Sequence, residues 1–181
     1  ERIKLKNKPV IFISGHFNNF ELMAMHLEKS NINLAAIYRP LNNNFLNPIM
    51  ERIRKKYICK KQIKKGISGT KELLKEFKNG TSVALMIDQR VSEGIKSDFF
   101  GKEALTTTIP AQFIRKFDAS VVPIYIERLS DDTFKVRISN TIKFLKDDSV
   151  SNITFKLNKI LEKMIMSNPE QWIWTHDRWK I

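Results

Sequence analysis

Cysteine is nearly absent: Cys59 is the only one in 181 residues. A single thiol builds neither a disulfide framework nor a cysteine-rich metal cluster. Lysines flank it in "YICKKQ", but no general base stands beside it, so a structural thiol is expected. The three histidines lie at positions 16, 26 and 176, too scattered for a helical H-E-x-x-H pair, and no metal site is expected. Glycine is scarce too. Neither G-x-x-x-x-G-K-[ST] nor G-x-G-x-x-G occurs, and "KKGISGTKE" has the right residue types in the wrong order, so no nucleotide or other cofactor is expected. There is no G-x-S-x-G elbow around a serine nucleophile. No apolar run approaches the roughly 18 residues that would span a bilayer. No signal peptide is expected, and no repeat or low-complexity segment is evident.

Acidic residues are also few, 19 against 32 lysines and arginines, which gives a formal charge of +13. Such a surface attracts anions: an anionic membrane leaflet, an acidic protein or lipid, or nucleic acid. The densest run is "ERIRKKYICKKQIKK", residues 51–65, with eight basic residues against one glutamate. On a helix it forms a charged face above an apolar one, suited to a membrane surface or to solvent. No nucleic-acid-binding module accompanies it, so nucleic acid is not an expected partner.

The hydrophobic pattern predicts α/β architecture, a mixed sheet flanked by helices in one domain over 1–181. "PVIFIS" (9–14) is a continuous apolar run, hence a buried strand. A helix follows over "NNFELMAMHLEKS", capped by Asn18 or Asn19. Strands are expected at 32–39 and 82–88. An amphipathic helix is expected at 44–57, capped by Asn44, with Phe45, Ile49 and Ile53 on its apolar face. Further helices are expected at 68–80, 108–118 and 150–167, and two adjacent strands at "SVVPIYIER" and "TFKVRISNTIKF". The chain opens at "ERIKLKNKPVIF", close to the first strand, so an upstream portion is expected beyond it.

Sites in open α/β sheets collect at the carboxyl ends of strands. Three polar groups fall there: His16 after the first strand, Arg39 after the second and Asp88 after the next. Glu21 follows His16 by five positions in "SGHFNNFE". If His16 lies on the turn and Glu21 in the helix, the carboxylate can fix the imidazole tautomer and leave the other ring nitrogen free to take a proton. A second pairing is equally open, with Glu21 on Arg39 and His16 on another acid such as Asp88. Either way the chemistry is general-base activation of a hydroxyl, without a covalent enzyme intermediate.

"GHFNNFE" resembles the GHxGNWE signature of the bacterial late acyltransferases of lipid A assembly, the lauroyl and myristoyl transferase group. It carries their HxxxxD/E motif at His16 and Glu21, with Asn18 and Phe20 where the pattern has Gly and Trp. The resemblance continues in order through "IYRPLNNNFLNPIMERIR", "MIDQR", "DFFGKEALTT", "VVPIYIER" and "NPEQWIWTHDRWK". It implies a glycerolipid-acyltransferase-like fold and transfer of a fatty acyl chain from an acyl carrier protein or CoA thioester to a hydroxyl of a lipid A precursor. His16 and Glu21 would be catalytic. Arg39, Asn42, Asp88, Gln89, Phe100, Gly101 and Thr107 would contact substrate, and "WIWTHDRW" would pack. It also implies an upstream membrane anchor and a place on the cytoplasmic face of the bacterial inner membrane. Two other readings are a related acyltransferase acting on another phospholipid or glycolipid, and a non-catalytic basic module that binds membrane or nucleic acid.

Overall fold

The computed structural model describes residues 8–180. Strands β1 (Val10–Ser14), β2 (Leu34–Tyr38), β3 (Lys61–Lys64), β4 (Ser82–Met86), β7 (Ser120–Arg128) and β8 (Phe134–Ile138) are hydrogen-bonded in the order β3-β2-β4-β1-β7-β8. β2 runs parallel to β3 and β4, and β8 runs antiparallel to β7. The sheet is therefore mixed, and helices flank it, as the sequence predicts. The described residues gather into two compact units, one of residues 8–12 and 21–85, the other of 13–20 and 86–180.

In the first unit, helix α1 (Glu21–Lys29) buries Met23, Ala24 and Leu27, and helix α3 (Ile67–Lys78) buries Leu73 and Phe77. Leu34, Ala35 and Val83 of the strands complete that core. Strand β3 was not evident from the sequence, because "KQIK" carries only one apolar residue for the interior, Ile63. Helix α2 (Leu46–Ile53) departs further from expectation. Asn43, not Asn44, satisfies its first donors: its Oδ1 accepts from the N–H groups of Phe45 and Leu46 at 2.9 and 3.1 Å. None of its residues is buried, and it runs on into a single wide π turn at Arg54–Ile58.

The second unit holds a hairpin that the sequence reading missed, β5 (Ile95–Phe99) with β6 (Lys102–Thr106). Its two-residue turn is Phe100-Gly101, with φ of 55° and 76°. Paired left-handed residues match the right-handed twist of the strands they join. Helix α4 (Ile109–Phe117) has Pro110 in its first turn, where the N–H that proline lacks would be unpaired anyway. It stops at Asp118 in the left-handed conformation. Helix α5 (Val150–Ser167) is capped by Ser149, whose Oγ accepts from the Asn152 N–H at 3.1 Å. Ile153, Leu157, Leu161 and Ile165 recur every four residues and are buried. Each such side chain contributes about 1.5–3 kcal/mol when fully withdrawn from water.

Candidate functional site

Every residue of β1 is buried, which is why it is apolar from Val10 to Ile13. The Ser14 carbonyl accepts from the Ile87 N–H at 2.9 Å, so the residues after Ser14 and after Ile87 emerge side by side. Gly15 occupies the closest point. A Cβ there would lie 3.1 Å from Leu161 Cδ1, 3.2 Å from the Phe17 ring and 3.3 Å from Asp88 Oδ2. Its missing side chain lets the Asp88 carboxylate close on the next residue.

That residue is His16. Its Nδ1 lies 2.7 Å from Asp88 Oδ1, and its backbone N–H donates to Asp88 Oδ2 at 2.7 Å. Trp172 Nε1 donates to the same Oδ2 at 2.9 Å. Asp88 is 3% exposed. Burial alone would raise its pKa, but the His16 ring, the His16 N–H and Trp172 outweigh it and hold the carboxyl below the usual carboxylate range. An ionised carboxylate only accepts hydrogen bonds, so Nδ1 must be the protonated ring nitrogen of neutral His16. Nε2 then carries the lone pair. The His16 side chain is 20% exposed, and Phe20 packs edge-on against it with ring centroids 4.6 Å apart.

The "PEQWIWTHDRW" segment forms the surrounding wall. Phe17 bridges Trp172 in antiparallel fashion, and the Ile173 N–H donates to the His16 carbonyl at 2.9 Å. The Asn18 side chain bonds that of Gln171. His176 Nε2 accepts from the Arg90 N–H at 2.9 Å, and burial, the largest influence, lowers its pKa. Arg178 is fully buried. It donates to Thr106 Oγ1 at 2.6 Å and to the Leu105 carbonyl at 2.8 Å, over the Phe99 ring. Burial pulls its pKa down to about 10. The segment packs only in part: Trp172 and Arg178 are buried, whereas residues 173–177 are exposed; it also supplies Trp172, a direct ligand of Asp88, which the sequence reading did not single out. The signal was there: a tryptophan in a polar-rich segment needs a partner for its N–H when buried.

The remaining candidates fall as follows. In the second unit, Gln89 is half-buried beside Asp88 and Phe100 is half-buried at the hairpin turn, where Gly101 is exposed. The Phe100 N–H donates to Glu162 Oε1 at 2.8 Å. Thr107 Oγ1 accepts from the Ile109 N–H at 3.3 Å. In the first unit, Arg39 and Asn42 are exposed. Glu21 Oε1 accepts from Arg54 Nε at 2.7 Å. Thus the carboxylate on the His16 ring is Asp88, and the cation on Glu21 is Arg54, a residue the sequence reading had placed only in the basic run. The N–H groups of His16, Phe17 and Asn18 already donate to Asp88 and to the Gly15 and Gln171 carbonyls, so those three are not open to an oxyanion. Among the described residues no cluster of His, Cys, Asp and Glu could hold a metal ion.

The family of bacterial lipid A biosynthesis acyltransferases matches the chain over residues 1–181. A lipid A biosynthesis palmitoleoyltransferase of Escherichia coli K12 is 27% identical over 189 residues, covering 99% of this chain and 58% of the relative. A lipid A biosynthesis acyltransferase of Shigella flexneri matches equally, at 27% identity over the same shares. A second from Shigella flexneri, lipid A biosynthesis acyltransferase 2, is 24% identical over 96% of this chain and 56% of its own length. The chain therefore spans a little over half the length of these relatives. With the match running from its first residue to its last, the chain belongs to the bacterial lipid A biosynthesis acyltransferase family.

Proposed function

We propose that this chain carries the acyl-transfer centre of a lipid A acyltransferase, moving a fatty acyl group from a carrier-protein or CoA thioester to a hydroxyl of a lipid A precursor. The observation that carries the reading is the His16–Asp88 pair, which holds the proton on Nδ1 and leaves Nε2 as a base. Nε2 takes the hydroxyl proton as that oxygen attacks the thioester carbonyl. Asp88 stabilises the resulting imidazolium from 2.7 Å away. The tetrahedral intermediate collapses with loss of the thiolate, and the proton passes from Nε2 to sulfur, so His16 ends as it began. General-base assistance of this kind contributes about 10²–10⁴ in rate.

The other roles rest on the family's motifs. Arg39 and Asn42 would hold acceptor phosphate and sugar groups. Gln89, Phe100, Gly101 and Thr107 would line the acyl or acceptor pocket. Within the first unit, Glu21 is paired with Arg54; the family's motif would give it the task of orienting and charge-balancing the base. The excess of 13 positive charges suits an acidic carrier protein, a phosphorylated acceptor and an anionic leaflet, in keeping with a reaction at the cytoplasmic face of the inner membrane. The test is mass spectrometry of lipid A precursor incubated with acyl carrier protein thioester. The parent chain should add one acyl group, and a folded His16→Ala variant should lose transfer by at least about a hundredfold. Near-native turnover in that variant would remove the reading.

A further inference from the structure

Helix α2 is built inside out. An amphipathic helix in a water-soluble fold turns its apolar stripe to the core. Here the polar side is turned inward. Asn47 Oδ1 accepts from the Leu41 N–H at 2.8 Å, and Asn47 Nδ2 donates to Glu51 Oε1 at 2.7 Å. One turn on, Arg54 donates to Glu21 at 2.7 Å and lies over the Tyr38 ring at 5.9 Å. The apolar side faces solvent: Phe45 is 89% exposed, Ile49 55% and Ile53 42%, with Leu46 and Tyr57 on the same flank at 52% and 55%. Positions 45, 49 and 53 are one turn apart, so they form a ridge along the helix.

Beside that ridge, Arg52, Lys55 and Lys56 line an open groove of about 510 Å³ together with Pro48 and Glu51. An apolar ridge flanked by cations is the form of a helix that lies in a lipid–water boundary, its hydrocarbon in the acyl region and its charges at the headgroups. A protein partner that binds a helix offers it a groove; a bilayer needs only the ridge. We propose that α2 and the π turn after it form a membrane-docking surface, which seats Phe45, Ile49 and Ile53 in an anionic bilayer and sets Arg52, Lys55 and Lys56 against its phosphates. The assignment deepens the acyltransferase reading by naming where the lipid surface is met, but vesicle binding can be measured without acyl transfer.

The experiment is sedimentation of the 181-residue chain with vesicles of equal parts phosphatidylcholine and phosphatidylglycerol, beside vesicles of phosphatidylcholine alone. The parent should bind the anionic vesicles, more weakly as salt rises from about 0.1 M to about 1 M and the screening length falls from about 10 Å to about 3 Å. Replacing Phe45, Ile49 and Ile53 together by Ser should lower that binding at least about tenfold. Replacing Arg52, Lys55 and Lys56 by Gln should flatten the salt dependence. The exposed positions predict unchanged melting temperatures. As a second measurement, Ile49→Cys carrying an environment-sensitive fluorophore should shift to the blue on anionic vesicles, while the buried Cys59 stays unlabelled. His16→Ala should bind as the parent does, so failed acyl transfer with intact docking would sink only the catalytic reading. No binding by the parent, undiminished binding by the triple Ser variant, or an unshifted fluorophore would overturn the proposal. So would a dimer that the triple Ser variant dissolves, because a second copy would then be the cover.

Discussion

His16 and Asp88 stand 72 residues apart in sequence and meet twice: ring nitrogen to Oδ1 and backbone N–H to Oδ2, both at 2.7 Å. The double contact fixes the histidine's orientation and its tautomer together. Asp88→Asn keeps the shape but offers an amide N–H₂ or a carbonyl in place of two acceptor oxygens. With the amide oxygen retained by the His16 N–H and Trp172, the N–H₂ faces Nδ1 and drives the ring proton to Nε2. Turnover should fall about 10²–10⁴-fold with the fold retained, read by acyl-transfer kinetics beside circular dichroism.

Gly15→Ala inserts a methyl group 3.1–3.3 Å from Leu161, Phe17 and Asp88. Two of those neighbours are tightly packed, and the third is the carboxylate itself. Overpacking of this kind costs about 1–3 kcal/mol. A lowered melting temperature is expected together with a loss of turnover, since one of the three crowded groups is the carboxylate that orients His16.

Glu21→Gln separates the two carboxylates. Its pair with Arg54 is partly solvated, with side-chain exposures of 34% and 17%, and such pairs contribute only about 0–1 kcal/mol. The melting temperature should barely move. If Asp88 is the acid that orients the base, the loss of turnover in Glu21→Gln should be at least about tenfold smaller than in Asp88→Asn. Equal losses measured side by side would make Glu21 an equal member of the centre.

The Cys59 thiol is pushed up to about 11, chiefly by burial and then by the nearby charge of Glu28. Its protonated form is the one the folded chain favours. That contribution is fully present below the ordinary thiol value of 9.0 and is lost as pH rises through about 11. Melting temperatures of the parent should therefore fall more steeply above pH 9 than those of Cys59→Ala. Maleimide at neutral pH should label the native chain far more slowly than the chain in guanidinium.

Much of this architecture could be read from residue spacing. The apolar run before His16 and the four-residue recurrence in α5 follow from burial, and burial is what a sequence displays most directly. The ends of β1 and β4 were legible too, so His16 and Asp88 were both placed at strand ends. Their pairing was legible only as one of two alternatives. The spacing of His16 and Glu21 suggests a local contact, whereas the observed partner depends on strand neighbours that no local pattern reveals. The β5–β6 hairpin escaped because "IKSDF" and "KEALT" alternate poorly and Phe100 is not a usual left-handed residue. In α2 the pattern was read correctly as amphipathic, but which face meets the protein was not legible, because periodicity reports only that two faces differ.

The rung from Ile173 to His16, with the Phe17–Trp172 bridge beside it, has a consequence in time. A ribosome delivers residue 16 long before residue 172. Until that later stretch emerges, the His16 carbonyl lacks its partner and the Asp88 carboxylate lacks the indole donor. Contacts of such long separation form late and slowly. The base is therefore made early and armed last, so a nascent or truncated chain that ends before Trp172 holds the histidine and the aspartate without the setting that makes them a catalytic pair.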